Sequence, residues 1–261
     1  MIKFELDGQK YQTPEGWHEV TFERFMDYLS NISTQEPEEL KEFIHAHQEF
    51  IGEIKEETPE KEVLQLASSH FESSWKRLGA KKQNKCHEFY AIEVGFWCGL
   101  DAEVIRSSMD IDILEQAFWA IQITLNLNNQ KEDIEFVGFE CKGKEYLLPS
   151  KHMEGATVAE FAEAAQFEEN VEDVVGGNWD AMLDVVVVLC RPKGEVYSYN
   201  ENQHKMRKKQ FKKLTMDKII NIAFFLLRQN DILKSNLLIY SLSEQVEQKQ
   251  LEKLVTFMDG H

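Results

Sequence analysis

A β-hairpin at the start of the chain is predicted by the stretch Phe4-Glu5-Leu6-Asp7-Gly8-Gln9-Lys10-Tyr11-Gln12-Thr13-Pro14. Apolar and polar residues alternate on both sides of Asp7-Gly8, and an Asp-Gly pair readily adopts the positive φ angles of a tight hairpin turn. Pro14 ends the second strand, because proline has no backbone N–H to donate to a neighbouring strand. A helix is predicted after Thr21, whose side chain can cap the first turn.

The same pattern recurs 135 residues later, in the stretch Phe139-Glu140-Cys141-Lys142-Gly143-Lys144-Glu145-Tyr146-Leu147-Leu148-Pro149. The ends of the two copies also correspond in the same order: Met109-Asp110 with Met216-Asp217, and Ala117-Phe118-Trp119 with Ala223-Phe224-Phe225. Matches that keep their order at both ends predict an internal duplication. Two unrelated segments that share only a hairpin pattern are the alternative.

The predicted fold class is α+β and predominantly helical, with two diverged repeats that each consist of a β-hairpin followed by helices. The first repeat covers 1–133, with a helical insertion near 36–80, and the second covers 134–261. Helices are predicted near 37–55, 59–79, 84–98 and 102–108, from 110 or 112 to 127, after Thr157, and near 216–227 and 243–258. The segment 179–190 contains four consecutive valines, which favour a strand, but its length and apolar character favour a buried helix, and a helix is the prediction.

The charge of the chain limits its partners. Its 261 residues include 46 acidic and 29 basic ones, which gives a formal net charge of −17. A surface this acidic repels phosphate backbones and suits a basic protein surface, so nucleic-acid binding is not expected. No run of about 18 apolar residues occurs, so no membrane span is predicted, and the N-terminus has no apolar signal-peptide stretch.

No arrangement of residues in the sequence predicts catalysis or a cofactor. Motifs of nucleotide-binding proteins, zinc proteases and serine hydrolases do not occur in it. His45 and His47 would point in roughly opposite directions on a helix, and Cys86, His87 and Cys98 offer only three ligands at a spacing unlike that of common zinc sites. The four cysteines are expected to be free thiols in a reducing cytosol. The protein is therefore predicted to be no enzyme and to hold no metal or other cofactor.

One local feature opposes the acidic character of the chain. Six basic residues form a candidate partner-binding strip: Lys205, Arg207, Lys208, Lys209, Lys212 and Lys213. Tyr197, Tyr199 and Phe211 lie nearby, so the strip could contact an acidic protein or nucleic acid. The alternative is a solvated helix start that balances the acidic remainder of the chain. Phe224 and Phe225, in an apolar helix, are further candidates, either for packing the two repeats together or for a groove or an oligomer interface.

Two short motifs resemble a known group of proteins. The segment Pro14-Glu15-Gly16-Trp17-His18-Glu19-Val20-Thr21-Phe22 resembles the P-x-x-W-x-E-[VI]-T opening of proteins encoded by tailed bacteriophages, especially those that infect Bacteroidota. The segment Gly99-Leu100-Asp101-Ala102-Glu103-Val104-Ile105 resembles the later G-[ILV]-D-x-E-x-[IL] motif of the same group. The insertion near 36–80 departs from that pattern.

The resemblance implies a virion morphogenesis protein, similar to a tail-assembly chaperone or a minor virion protein, and it brings no catalytic residues. The expected function is therefore a non-enzymatic assembly or virion-associated protein. Its expected partners are other phage structural or assembly proteins, in the host cytoplasm or in the virion. A nucleic-acid-binding or regulatory adaptor that uses residues 205–213 is the alternative, and an enzyme or metalloprotein without a familiar motif is a third hypothesis.

Overall fold

The computed structural model describes residues 1–55, 58–126, 137–148, 179–195, 200–223 and 225. The chain divides into two compact units, Met1–Gln130 (unit 1) and Lys131–His261 (unit 2). Each unit combines helices with a small antiparallel sheet. The predicted class, α+β and predominantly helical, is confirmed.

The hairpin of unit 1 consists of β1 (Lys3–Leu6) and β2 (Gln9–Gln12), which pair antiparallel with Phe4 opposite Tyr11. Asp7 and Gly8 form the turn with φ angles of 51° and 78°. Both angles are positive, as the Asp-Gly sequence predicted. Phe4 is buried and its ring stacks on that of Tyr11 at 5.8 Å, so one face of the hairpin packs on the core of the unit.

Six α-helices follow the hairpin in unit 1. They are α1 (Phe22–Asn31), α2 (Glu38–Glu53), α3 (Glu60–Leu78), α4 (Ala80–Cys98), α5 (Ala102–Ser108) and α6 (Ile111–Thr124). The side chains of Thr21, Asp101 and Asp110 each accept a backbone hydrogen bond at a helix start, as N-caps do. Most ends agree with the sequence predictions, although α4 begins four residues earlier than expected.

Helix α4 lies at the centre of unit 1, and α3 and α6 both pack against it. The chain direction of α3 is opposite to that of α6. Only Gly79, with a φ of 75°, separates α3 from α4, and Trp75 of α3 contacts His87 and Tyr90 of α4, so the two helices fold back on each other as an antiparallel pair. Helices α4 and α6 run parallel, because side-chain contacts between them recur at nearly constant spacing. These contacts join His87 with Glu115, Tyr90 with Phe118, and Glu93 with Gln122. It follows that α3 and α6 run antiparallel to each other.

Unit 2 contains a sheet of three strands, β3 (Gly138–Cys141), β4 (Lys144–Leu147) and the short β5 (Arg191–Pro192), in that spatial order. Phe139 lies opposite Tyr146, and Lys142 and Gly143 have φ angles of 50° and 72°. This hairpin therefore has the same register and turn geometry as the hairpin of unit 1. The wider duplication stays a prediction, because the helix expected after Thr157 lies outside the described residues.

Two helices of unit 2 are described over their full length, α7 (Trp179–Leu189) and α8 (Glu201–Phe211), and residues 216–223 are also helical. The valine-rich segment is thus a helix, as predicted, since burial of its apolar side chains outweighs the strand preference of valine. Arg191-Pro192 ends α7 and forms β5, which the sequence did not predict. The helix predicted near 243–258 lies outside the described residues. Within the described part of the chain, the helices lack the combination of length and apolar composition needed to cross a membrane.

Candidate functional site

The candidate basic strip begins in the middle of α8 and continues into the turn after it. Asn200 caps α8, since its side chain accepts a hydrogen bond from the backbone N–H of Gln203 at 3.1 Å. The basic residues begin more than one turn later and extend past the last helical residue, Phe211. Cations near this end are stabilised by the partial negative charge of the helix C-terminus. The strip therefore occupies the end of a helix, where the sequence analysis had considered a helix start.

Acidic side chains of α7 neutralise part of the strip. Lys208 Nζ lies 2.8 Å from Asp184 and 3.0 Å from Asp180, and Lys212 Nζ lies 3.7 Å from Asp180. Burial alone would lower the pKa of Lys208, but its hydrogen bonds to the two carboxylates raise it, so the ammonium group stays charged. These contacts fit the interpretation in which the strip balances acidic groups of its own chain.

The other basic residues differ in exposure. Arg207 is half-buried, and its Nη2 lies 2.6 Å from a carboxylate oxygen of Glu195. Lys205 is exposed and pairs with a glutamate one turn earlier on α8. Lys209 and Lys213 are also exposed, and no ion pair involves them within the described part of the chain. The surface available to a partner is therefore narrower than six adjacent basic residues suggest.

The aromatic residues near the strip stabilise unit 2. Phe211 is fully buried, and its ring lies edge-on to Phe139 at 5.3 Å and to Tyr146 at 5.0 Å. It thereby fixes the end of α8 to the β3–β4 hairpin. Phe225 is buried as well. The remaining aromatic candidates, Tyr197, Tyr199 and Phe224, lie outside the described residues.

A buried carboxyl group lies inside unit 1. Glu93 of α4 is 1 % exposed, and its Oε1 accepts hydrogen bonds from Tyr28 Oη at 3.0 Å and from Gln122 Nε2 at 2.8 Å. Burial raises the pKa of Glu93 to about 7, although these hydrogen bonds oppose the shift. Glu93 was not among the candidate residues predicted from the sequence. The sequence does contain a signal for Glu93, because it is the single acidic residue within the apolar run of α4.

Arg24 joins the same region by capping α4. Its Nη2 donates hydrogen bonds to the backbone carbonyls of Phe96 at 2.7 Å and Trp97 at 2.8 Å, and its guanidinium lies 5.5 Å from both ring centroids. These carbonyls belong to the last turn of α4, which leaves acceptors without helical partners. The contact fixes α1 against α4 and explains why an arginine stands where a glutamate would complete the capping box.

Two histidines face each other between α2 and α3. The Nδ1 atoms of His47 and His70 lie 3.1 Å apart, which is hydrogen-bonding distance when one ring nitrogen carries a proton and the other does not. Phe50 stacks on His70 with ring centroids 4.0 Å apart, and Phe71 lies edge-on to His47. Burial lowers the pKa of His47, and the nearby His70 lowers it further. From the sequence, His47 was compared only with His45, because contact with a residue 23 positions later depends on how the helices pack.

Among Cys86, His87 and Cys98, the first is buried and the other two have separate partners. Burial raises the pKa of the Cys86 thiol to about 11. His87 Nε2 lies 2.8 Å from Glu115, and Cys98 Sγ donates to the carbonyl of Gln12 at 3.5 Å. Within the described residues, one exposed group has ligand atoms close enough together for a metal ion, and it comprises Glu15, His18 and Glu19.

Large aliphatic side chains are exposed on four helices of unit 1, and these are Ile51, Leu64, Leu66, Val104, Ile111, Ile113 and Ile123. The exposed fraction reaches 62 % for Leu64 and 68 % for Ile123. In addition, none of residues 61–78 of α3 is buried, although an apolar stripe follows the helix. Exposed aliphatic side chains that adjoin one another are typical of a protein-binding surface, whereas isolated ones are common on any protein.

No protein-family model, curated protein or solved structure matches this chain. The structure therefore establishes only the fold class of the protein, which is a predominantly helical α+β chain of two compact units.

Proposed function

We propose that the protein is a non-enzymatic phage assembly or virion-associated protein that binds other structural proteins. The observation that carries this proposal is the set of exposed aliphatic side chains on the helices of unit 1. Removing apolar surface from water contributes about 25 cal/mol per Å². A partner that covers these side chains would therefore gain a substantial part of its binding energy from them.

The phage context of the proposal comes from the resemblance of two segments, 14–22 and 99–105, to proteins of tailed bacteriophages. In unit 1 these segments lie at the start of α1 and at the start of α5, where Thr21 and Asp101 cap the helices. Each of the two motifs therefore includes the N-cap of a helix. The proposed partners are other phage structural or assembly proteins.

An experiment in infected cells tests the proposal. The tagged chain is expressed from the phage genome, purified at several times after infection, and its partners are identified by cross-linking and mass spectrometry. We expect a tail or capsid morphogenesis protein to co-purify in an amount comparable to that of the chain. Recovery of the chain alone at every time point would contradict the proposal.

The exposed Lys209 and Lys213 favour a second candidate, an adaptor that binds nucleic acid. Such binding would weaken with salt, because it releases counterions from the phosphate backbone. A gel shift at low salt that disappears in a Lys209→Glu, Lys213→Glu variant would support this candidate. The absence of any shift at low salt would remove it.

A further inference from the structure

Helices α3 and α6 approach each other at one level of unit 1 through aromatic side chains. The ring centroids of Phe71 and Trp119 lie 5.2 Å apart, edge to face, and Phe43 of α2 packs against both rings. Trp119 also contacts the buried Tyr90 of α4. At this point along the two helices, the aromatic rings fill the space between α3 and α6.

One to two turns further along the same two helices, the side chains are aliphatic. Because α3 and α6 run antiparallel, residues before Phe71 on α3 lie beside residues after Trp119 on α6. Residues three, four or seven positions apart share one side of a helix. Ala67 and Leu64 therefore continue the side of α3 that carries Phe71, and Ile123 continues the side of α6 that carries Trp119.

Two of these continuing side chains are largely uncovered within the described part of the chain, and Ala67 is half-buried. Leu64 is 62 % exposed and Ile123 is 68 % exposed, whereas Phe118, beside Trp119, is fully buried. On this placement, Leu64, Ala67 and Ile123 would line an apolar groove between α3 and α6, with Phe71 and Trp119 at one end. A groove between two helices of this kind fits the apolar face of a third helix.

The charge around the groove indicates what kind of helix would bind. Glu49 and Glu53 belong to the half of α2 that follows Phe43, and the contact of Phe50 with His70 places this half along the part of α3 before Phe71. The first turn of α3 adds Glu62 beside Lys61. Unit 1 as a whole contains 24 acidic and 12 basic residues. A partner with basic residues beside its apolar face would be attracted to this surface.

We propose that the groove between α3 and α6 binds an amphipathic helix of a partner protein, with aliphatic residues at helical spacing and lysine or arginine beside them. The inference rests on the proposed function, since it names the chemical class of the partner segment. Hydrophobic burial supplies the affinity, and the acidic surroundings of the groove select basic helices over acidic ones.

A peptide-binding experiment on the full chain tests the inference. The probe is a fluorescein-labelled amphipathic peptide of about 20 residues, long enough to form a helix, with leucines at helical spacing and lysines beside them. A second probe has glutamates in place of the lysines. The variants are Leu64→Glu and Ile123→Glu, and the matched control is Met206→Glu, which changes an exposed apolar residue of unit 2. Binding is measured by fluorescence anisotropy, and circular dichroism checks that each variant is folded.

We expect the basic probe to bind the natural chain at least about tenfold more tightly than the acidic probe. Leu64→Glu and Ile123→Glu should each weaken the basic probe by about tenfold, and Met206→Glu should leave its affinity unchanged. Equal affinity for the two probes, or an equal loss in all three variants, would overturn the inference. So would a dimer of the natural chain that Ile123→Glu dissociates, because the occupant would then be a second copy.

The outcome is separable from that of the proposed function. If a morphogenesis protein co-purifies equally well with the natural chain and with the Ile123→Glu variant, the groove assignment fails and the proposed function stands. If the basic probe binds as expected but no morphogenesis protein co-purifies, the proposed function fails and the groove assignment stands.

Discussion

At the scale of single residues, Glu93 makes the stability of unit 1 depend on pH. Its pKa rises from 4.5 to about 7 on folding, chiefly because of burial. Between these two values the unfolded chain releases a proton that the folded chain keeps, so the free energy of unfolding falls as pH rises from about 5 to about 7. We expect Glu93→Gln to remove this loss, because glutamine does not ionise. By pH 8, the pH-dependent loss of unfolding free energy in the natural chain should exceed that in the variant by up to about 3 kcal/mol.

Urea unfolding followed by tryptophan fluorescence at pH 5, 6, 7 and 8 measures this effect. Glu88→Gln is the matched control, because Glu88 lies on the same helix and is exposed. The two variants should differ in the slope of unfolding free energy against pH. A Glu93→Gln variant with the slope of the natural chain would show that the carboxyl group is not held protonated.

His47 produces the opposite trend at lower pH. Burial and the neighbouring His70 lower the pKa of His47 below 6.5 in the folded chain. As pH falls below 6.5, the unfolded chain takes up a proton that the folded chain resists, so stability is lost on acidification. We expect His47→Gln, which can still donate to His70, to reduce the opening of α2 and α3 at pH 5.

Hydrogen exchange of the α2 and α3 amides at pH 5 and pH 7.5, corrected for intrinsic rates, measures this opening. His45→Gln is the control, since His45 lies on α2 but is exposed. Equal protection at pH 5 in both variants would contradict a role for the His47–His70 pair.

At the scale of secondary-structure elements, the ion pairs between α7 and α8 should stabilise unit 2. Lys208 bridges Asp180 and Asp184, and Asp184 is mostly buried. Removing the ammonium group would leave Asp184 with only His204, whose Nε2 lies 3.4 Å away, so we expect Lys208→Met to destabilise the chain by about 1–2 kcal/mol. Lys209→Met, at an exposed site, should change stability by less than about 0.5 kcal/mol. Urea unfolding at low and high salt measures the stability of both variants. An equal loss of stability in the two variants would contradict a stabilising role for the ion pairs of Lys208.

The elements also show which features local sequence could predict. The two hairpin turns and the caps at Thr21, Asp101 and Asp110 depend on neighbouring residues, so their sequence patterns sufficed. The valine-rich segment required a choice between two propensities, which its length decided. β5 has only two residues and therefore no periodicity.

The contacts of the candidate sites could not be predicted in this way. His47 meets His70, Glu93 meets Tyr28, and Lys208 meets Asp184 only after helices far apart in sequence have packed together. The basic strip was visible as a run of charge, but its pairing with α7 was not. The exposure of Leu64 was hidden for the same reason, since an apolar stripe on α3 predicts burial.

At the scale of the whole molecule, unit 1 should fold without unit 2. It contains its own buried core, which is centred on α4 and includes Phe22, Leu40, Tyr90, Ile105, Phe118 and Ile121. Its 130 residues are enough to bury a core of this kind. We therefore expect fragment 1–130 to be helical by circular dichroism and to unfold cooperatively on heating.

A shorter fragment, 1–78, is the matched control for this prediction. It keeps the hairpin and α1 to α3 but lacks α4, against which these elements pack through Arg24, Tyr28 and Trp75. Without α4, the apolar sides of α1 and α3 have no surface to cover them, so fragment 1–78 should show no cooperative transition. If both fragments melt alike, α4 is not the organising helix of unit 1. If fragment 1–130 is unfolded while the full chain is folded, the stability of unit 1 depends on unit 2, and the two units are not independent folding domains.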